Sequence, residues 1–142
     1  NTTVNERVAS ELPAVAVSPR VLRAALVRVF LFCRDRMHAV RLTLTAETCG
    51  SESARPAEYG GEVPPGEYVW ISVEAEGDTG AIEELEGLRT DNLMLAHNPR
   101  SRAMGLYWAS RMLRRAAAHL VIRDENERAI GFDLYLPILP RR

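Results

Sequence analysis

Beginning at Ser18, the apolar residues Leu22, Ala25, Leu26, Val29, Phe30 and Cys33 recur at three- and four-residue intervals, the period of one helical face. Ser18 suits the cap of such a helix and Pro19 its first position, so the spacing predicts a helix from about Pro19 to Met37. The period then drops to two. Val40-Arg41-Leu42-Thr43-Leu44-Thr45 alternates apolar and polar residues, predicting a half-buried strand with Val40, Leu42 and Leu44 on one face. Tyr68 to Val73 alternates likewise, and the Gly-, Pro-, Ser- and Glu-rich stretch from Cys49 to Gly66 predicts a long loop between them. Glu74 to Ser101 has no sustained period and reads as loop, with short helical turns near Ile82–Leu88 and Leu93–Ala96. Helical spacing returns from Gly105 to His119 through Leu106, Ala109, Met112, Leu113, Ala116 and Ala117. Leu120-Val121-Ile122 and Ile130 to Leu136, separated by a polar turn at Asp124–Glu127, predict a closing antiparallel hairpin. This order predicts an α/β fold, a two-layer sandwich with helices on one face of a mostly antiparallel sheet.

At 142 residues and 15.8 kDa the chain suits a single domain, 1–142, with one core. Its 46% hydrophobic and 26% charged residues exclude a disordered or collagen-like chain. Eighteen basic against nineteen acidic side chains give a formal net charge of -1, so no global field favours nucleic acid or an anionic membrane, and neither is expected as a partner. A nucleic-acid role would require a local patch. The longest apolar run, Val29 to Cys33, is far short of the roughly 20 residues of a membrane-spanning helix. Cys33 in a helical pattern and Cys49 in a polar loop make neither a disulfide framework nor a metal site, which fits a reduced, cytoplasmic setting. Asn1-Thr2-Thr3-Val4 has neither a start Met nor a signal-peptide pattern, as expected of a segment excised from a longer chain.

Five stretches, taken in order, resemble the ATP-binding domain of sensor histidine kinases, a member of the GHKL group with the Bergerat fold. Val4 to Val17, with Glu11-Leu12-Pro13, is similar to the family's first strand and the loop before its first long helix. Leu22-Arg23-Ala24-Ala25-Leu26-Val27-Arg28-Val29-Phe30-Leu31-Phe32-Cys33 is similar to the helix that normally reads L-R-x-x-L-x-N-L-L-x-N-A. Tyr68 to Val73 stands where a strand leads into the D-x-G-x-G loop. Ala103 to Ala109 stands at G-L-G-L-x-x-V, and Phe132 to Pro137 matches the closing F-x-x-x-L-P strand. The resemblance covers nearly the whole chain and implies a lid over about residues 77–102.

The departures fall on chemistry. The Asn that closes the family's helical motif ligates Mg²⁺, which needs oxygen; here the position is Phe32, and the motif's earlier Asn is Arg28. A phenyl ring cannot ligate magnesium, so no metal is expected. The adenine-reading Asp corresponds to Ala75, followed by Glu76-Gly77; a three-residue slip offers Asp78-Thr79-Gly80 instead. Loss of that acceptor would leave an adenine edge unpaired, at about 1–3 kcal/mol. Of the family's G-x-G-x-G at the lid's end, Ser101-Arg102-Ala103-Met104-Gly105 keeps only Gly105, and Leu106 follows it.

The resemblance therefore implies a degenerate, non-catalytic regulatory module of two-component signalling, without a cofactor. Its expected partners are a kinase dimerisation domain, a receiver domain or another regulator, and any dimer would form through flanking regions. The alternative is a divergent active kinase that binds ATP and Mg²⁺, with Asp78 reading adenine and Gly80 and Gly105 shaping the pocket. A third reading gives the emptied cleft to another nucleotide or small molecule. Phe32 is either a pocket plug or plain core. Arg111, Arg114, Arg115 and Arg123 form a basic face for an acidic partner or an ordinary solvated face, and Arg100 and Arg102 hold a phosphate or are loop charges. Trp70 and Trp108 are expected to pack. His38 is placed at the start of a strand, His97 in a loop and His119 at a helix C-terminus facing the dipole.

Overall fold

The computed structural model describes residues 2–51, 63–85, 104–126 and 128–139. Two helices lie on one face of a five-stranded sheet, as the α/β sandwich predicted. Strand β1 (Thr3–Val8) precedes α1 (Pro19–Asp35), β2 (Arg41–Ser51), β3 (Gly66–Glu76), a 3-10 helix (Thr79–Leu85), α2 (Met104–Arg115), β4 (His119–Asn126) and β5 (Ala129–Pro137). The sheet order is β1-β2-β3-β5-β4, with β1 parallel to β2 and every other pairing antiparallel.

Helix α1 starts as the sequence dictates. The Ser18 hydroxyl accepts the Val21 N–H at 3.2 Å, and Pro19, which lacks an N–H, occupies the first turn at no hydrogen-bonding cost. It ends just before the predicted Met37, because His38 is left-handed (φ 48°) and the Ala39 N–H turns back to the Cys33 carbonyl at 3.0 Å. His38 is therefore an exposed turn residue, and β2 begins at Arg41 rather than Val40.

The core lies between the helices and the inner sheet face. Ala25, Val29, Phe32 and Cys33 of α1 meet Val69, Val73 and Ala75 of β3 and Ile130, Phe132, Leu134 and Leu136 of β5. Burial pushes the Cys33 thiol up to about 12, so it fills space as a small protonated apolar group. Strands β2 and β3 are longer than predicted. The expected loop yields Cys49 and Gly66 to a hairpin that pairs Cys49 with Tyr68 and Ser51 with Gly66. In its outer part the core-side positions Thr48 and Gly50 are exposed, so no apolar alternation is needed there. The predicted turn at Ile82–Leu88 coincides with the 3-10 helix over residues 82–85; residues 86–88, Leu93–Ala96 and His97 lie outside the described residues.

Helix α2 stops at Arg115, short of the predicted His119. Ala117 is left-handed (φ 58°), and the Ala118 N–H returns to the Leu113 carbonyl at 2.9 Å, the closure usually given to glycine. Replacing Ala117 by Gly removes the Cβ strain. Set against the larger backbone entropy of an unfolded glycine, a gain of about 0.5–1 kcal/mol is expected in urea unfolding. A loss instead would mean that Ala117 is not strained.

The sheet's other face holds a second, smaller cluster. Val63, Tyr68, Val121 and Tyr135 are buried there, with Cys49 and Trp70 packed against them. Next to it Asp133, 2% exposed, accepts a hydrogen bond from Arg123 Nη2 at 3.1 Å and lies in ion-pair contact with Nε at 2.6 Å, while Nη2 also donates to Ser72 Oγ at 3.2 Å. Arg123 is thus an internal partner and not part of a solvated basic face.

Candidate functional site

Helix α1 and the N-terminus of α2 meet around a depression of about 200 Å³ lined by Arg28, Leu31, Phe32, Asp35, Arg36, Gly105 and Leu106. Four of the residues singled out in the sequence, Arg28, Phe32, Gly105 and Leu106, come together here. Periodicity places Arg28 and Phe32 one turn apart on α1, and the packing of α2 brings Gly105 beneath the Arg28 side chain. A Cβ on Gly105 would lie 2.9 Å from Arg28 Cδ, so glycine is what lets the arginine cross the start of α2.

Phe32 is a core residue that also reaches the depression. The ring is 4% exposed and stands edge-on to Phe132 at 5.8 Å and 67°, so it is core; its outer edge is also a wall of the depression. Asp35, the one carboxylate among the described residues that line the depression, is held by the neighbouring Arg34 at 2.6 Å. These residues do not fit a magnesium ion. Among the described residues no three of His, Cys, Asp or Glu converge as a metal site. The volume is also below the roughly 300 Å³ at which small-molecule pockets begin.

The other singled-out residues lie elsewhere. Ala75 is fully buried in β3, paired with Leu42 and Ile130. Gly77 packs the end of β3 onto the turn after α1, where a Cβ would meet the Met37 carbonyl oxygen at 2.5 Å. Asp78 is exposed; its N–H donates to the Met37 carbonyl at 2.7 Å and its Oδ1 accepts the Gly80 N–H at 2.9 Å, capping the 3-10 helix. Arg100, Arg102 and Ala103 lie outside the described residues.

Sequence reasoning misplaced two further residues. His119 opens β4 instead of closing a helix: it is half-buried, edge-on to Tyr68 at 6.5 Å, and paired in register with Tyr135. Burial, then the Arg114 charge, hold its imidazole below the ordinary 6.5. Since the unfolded chain binds this proton more readily, the stabilising contribution is present above about pH 6.5 and falls away as the pH drops through the folded value. Urea unfolding between about pH 7 and pH 5 should therefore show a loss of stability that His119→Gln reduces; an unchanged slope would refute the assignment. Trp108, expected to pack, is 53% exposed on the outer side of α2.

No family profile matches this sequence, and no curated protein sequence matches it. Among solved structures, 99% of the chain superposes on ShkA, a hybrid histidine kinase whose full-length form was crystallised in complex with AMPPNP, with a TM-score of 0.62 and 19% identity. The matched part is 26% of that chain, so this chain spans about a quarter of its length. The fold is therefore related to one found within a histidine kinase.

Proposed function

We propose that this chain is a histidine-kinase ATPase-like module of two-component signalling, in the cytoplasm, that works by binding and conformation rather than by Mg-ATP chemistry. The observation that supports it best is Phe32. The residue at the position of the family's magnesium ligand packs on Phe132, beside a depression whose one carboxylate among the described residues is tied to Arg34. The likeness to part of a histidine kinase supplies the signalling context, and helices too short and polar to cross a membrane, among the described residues, are compatible with it. Suitable partners are a kinase dimerisation domain, a receiver domain or another regulator.

Calorimetric and thermal-shift titration with ATP and ADP, each with and without Mg²⁺, tests the reading. A ligand at 100 times its dissociation constant stabilises by about 2.7 kcal/mol, so binding would be plain. The expected result is no magnesium-dependent shift. Magnesium-dependent binding in the micromolar range would overturn the reading in favour of a divergent active kinase domain.

A further inference from the structure

The net charge of -1 conceals a division by layer. Helix α1 holds four arginines and one aspartate, and α2 holds three arginines and no acid. The five strands hold eight acidic residues against three arginines. The helix layer is thus strongly basic and the sheet layer acidic, on opposite sides of one core.

On the outside of α1, Arg20, Arg23 and Val27 follow one another at spacings of three and four and are all exposed. On the outside of the adjacent α2, Trp108, Arg111 and Arg115 do the same. These four arginines make no hydrogen bond or ion pair with any described residue. Val27 is 46% exposed and Trp108 53%, so each basic stripe includes a large apolar side chain held in water. An exposed tryptophan on one helical stripe with arginines has the composition of a protein-binding face, where Trp and Arg are enriched and Lys is depleted. Every one of the chain's 18 basic residues is arginine. Its planar fork pairs with carboxylates through two parallel hydrogen bonds.

From this pattern we infer that the outer face of α1 and α2 is a docking surface for an acidic protein segment with an apolar stripe. Trp108 anchors the stripe, and the flanking arginines pair with its carboxylates. The exposed apolar ring of Trp108 beside the arginines matches a protein segment that offers both carboxylates and apolar side chains, which a phosphate backbone does not. This favours protein over nucleic acid. The inference rests on the partner-binding part of the proposed function and is independent of the nucleotide pocket.

The test measures fluorescence anisotropy of a labelled amphipathic helical peptide of about 20 residues, with Glu and Asp flanking a Leu stripe. Its lysine counterpart, duplex DNA and vesicles of mixed neutral and anionic lipid are the comparisons. The acidic peptide is expected to bind and to weaken by at least about tenfold between about 50 and 500 mM salt. The lysine peptide should not bind. R111E/R115E should lower affinity by about tenfold or more with an unchanged melting temperature, and Trp108→Ala should lower it while leaving the salt dependence in place. No binding of the acidic peptide, tighter binding of DNA or vesicles, or full affinity in R111E/R115E would overturn the surface. Those results leave the nucleotide titration untouched, and Mg-ATP binding would in turn leave this surface standing.

Discussion

An Arg123→Met variant is expected to lose about 3–5 kcal/mol of unfolding free energy, read as a lower urea midpoint at constant slope. Asp133 lies on β5, inside the sheet, with 2% of its surface accessible. Its compensation is the guanidinium that reaches across from β4, and Gly131 leaves the room: a Cβ there would lie 2.7 Å from Arg123 Nη2. Methionine fills much of the same volume but leaves the carboxylate buried without a cation. The double variant Arg123→Met/Asp133→Leu should recover most of the stability because no uncompensated charge remains. A single-variant cost below about 1 kcal/mol would mean that water already compensates Asp133 and that the pair contributes as little as a surface pair does.

The elements that the sequence made legible are those whose local chemistry and burial agree. Helix α1 combines a Ser-Pro start with an unbroken apolar stripe, and β5 alternates over the centre of the core, so both appear where the pattern put them. The hairpin beyond Thr48 was not legible because it extends past the helix layer, where its core-side positions Thr48 and Gly50 are exposed. The end of α2 was missed because an alanine takes the left-handed closure, with no glycine to mark it. His119 was misassigned as a consequence. Arg123 read as a surface charge because its partner, ten residues on, is set by hairpin register, and register is not written in composition. The depression between α1 and α2 was partly legible: one-turn spacing joins Arg28 to Phe32, while Asp35 and Arg36 follow from how the helices pack.

Restoring an amide at position 32 should not restore nucleotide chemistry. A Phe32→Asn variant is expected to lose about 3–5 kcal/mol, the usual cost of removing a buried phenyl ring. The edge-to-face contact with Phe132 disappears, and an amide that lacks partners takes its place in the core. Access to water from the depression relieves part of the amide's desolvation but none of the lost packing. At about 2–4 °C per kcal/mol for a domain approaching this size, the melting temperature should fall by roughly 10 °C. Magnesium-dependent ATP binding should not appear, because an amide at 32 leaves unrepaired the position that the resemblance gives to adenine reading, where Ala75 is buried in β3 and offers no carboxylate. Asp35, the nearest carboxylate in the depression, is engaged by Arg34, and the Asp78 side chain caps the 3-10 helix. A stable variant that gains magnesium-dependent binding would show that Phe32 plugs a site otherwise intact. A destabilised variant that gains nothing would show that the ring has become part of the core, and that the path back to a metal site crosses several residues.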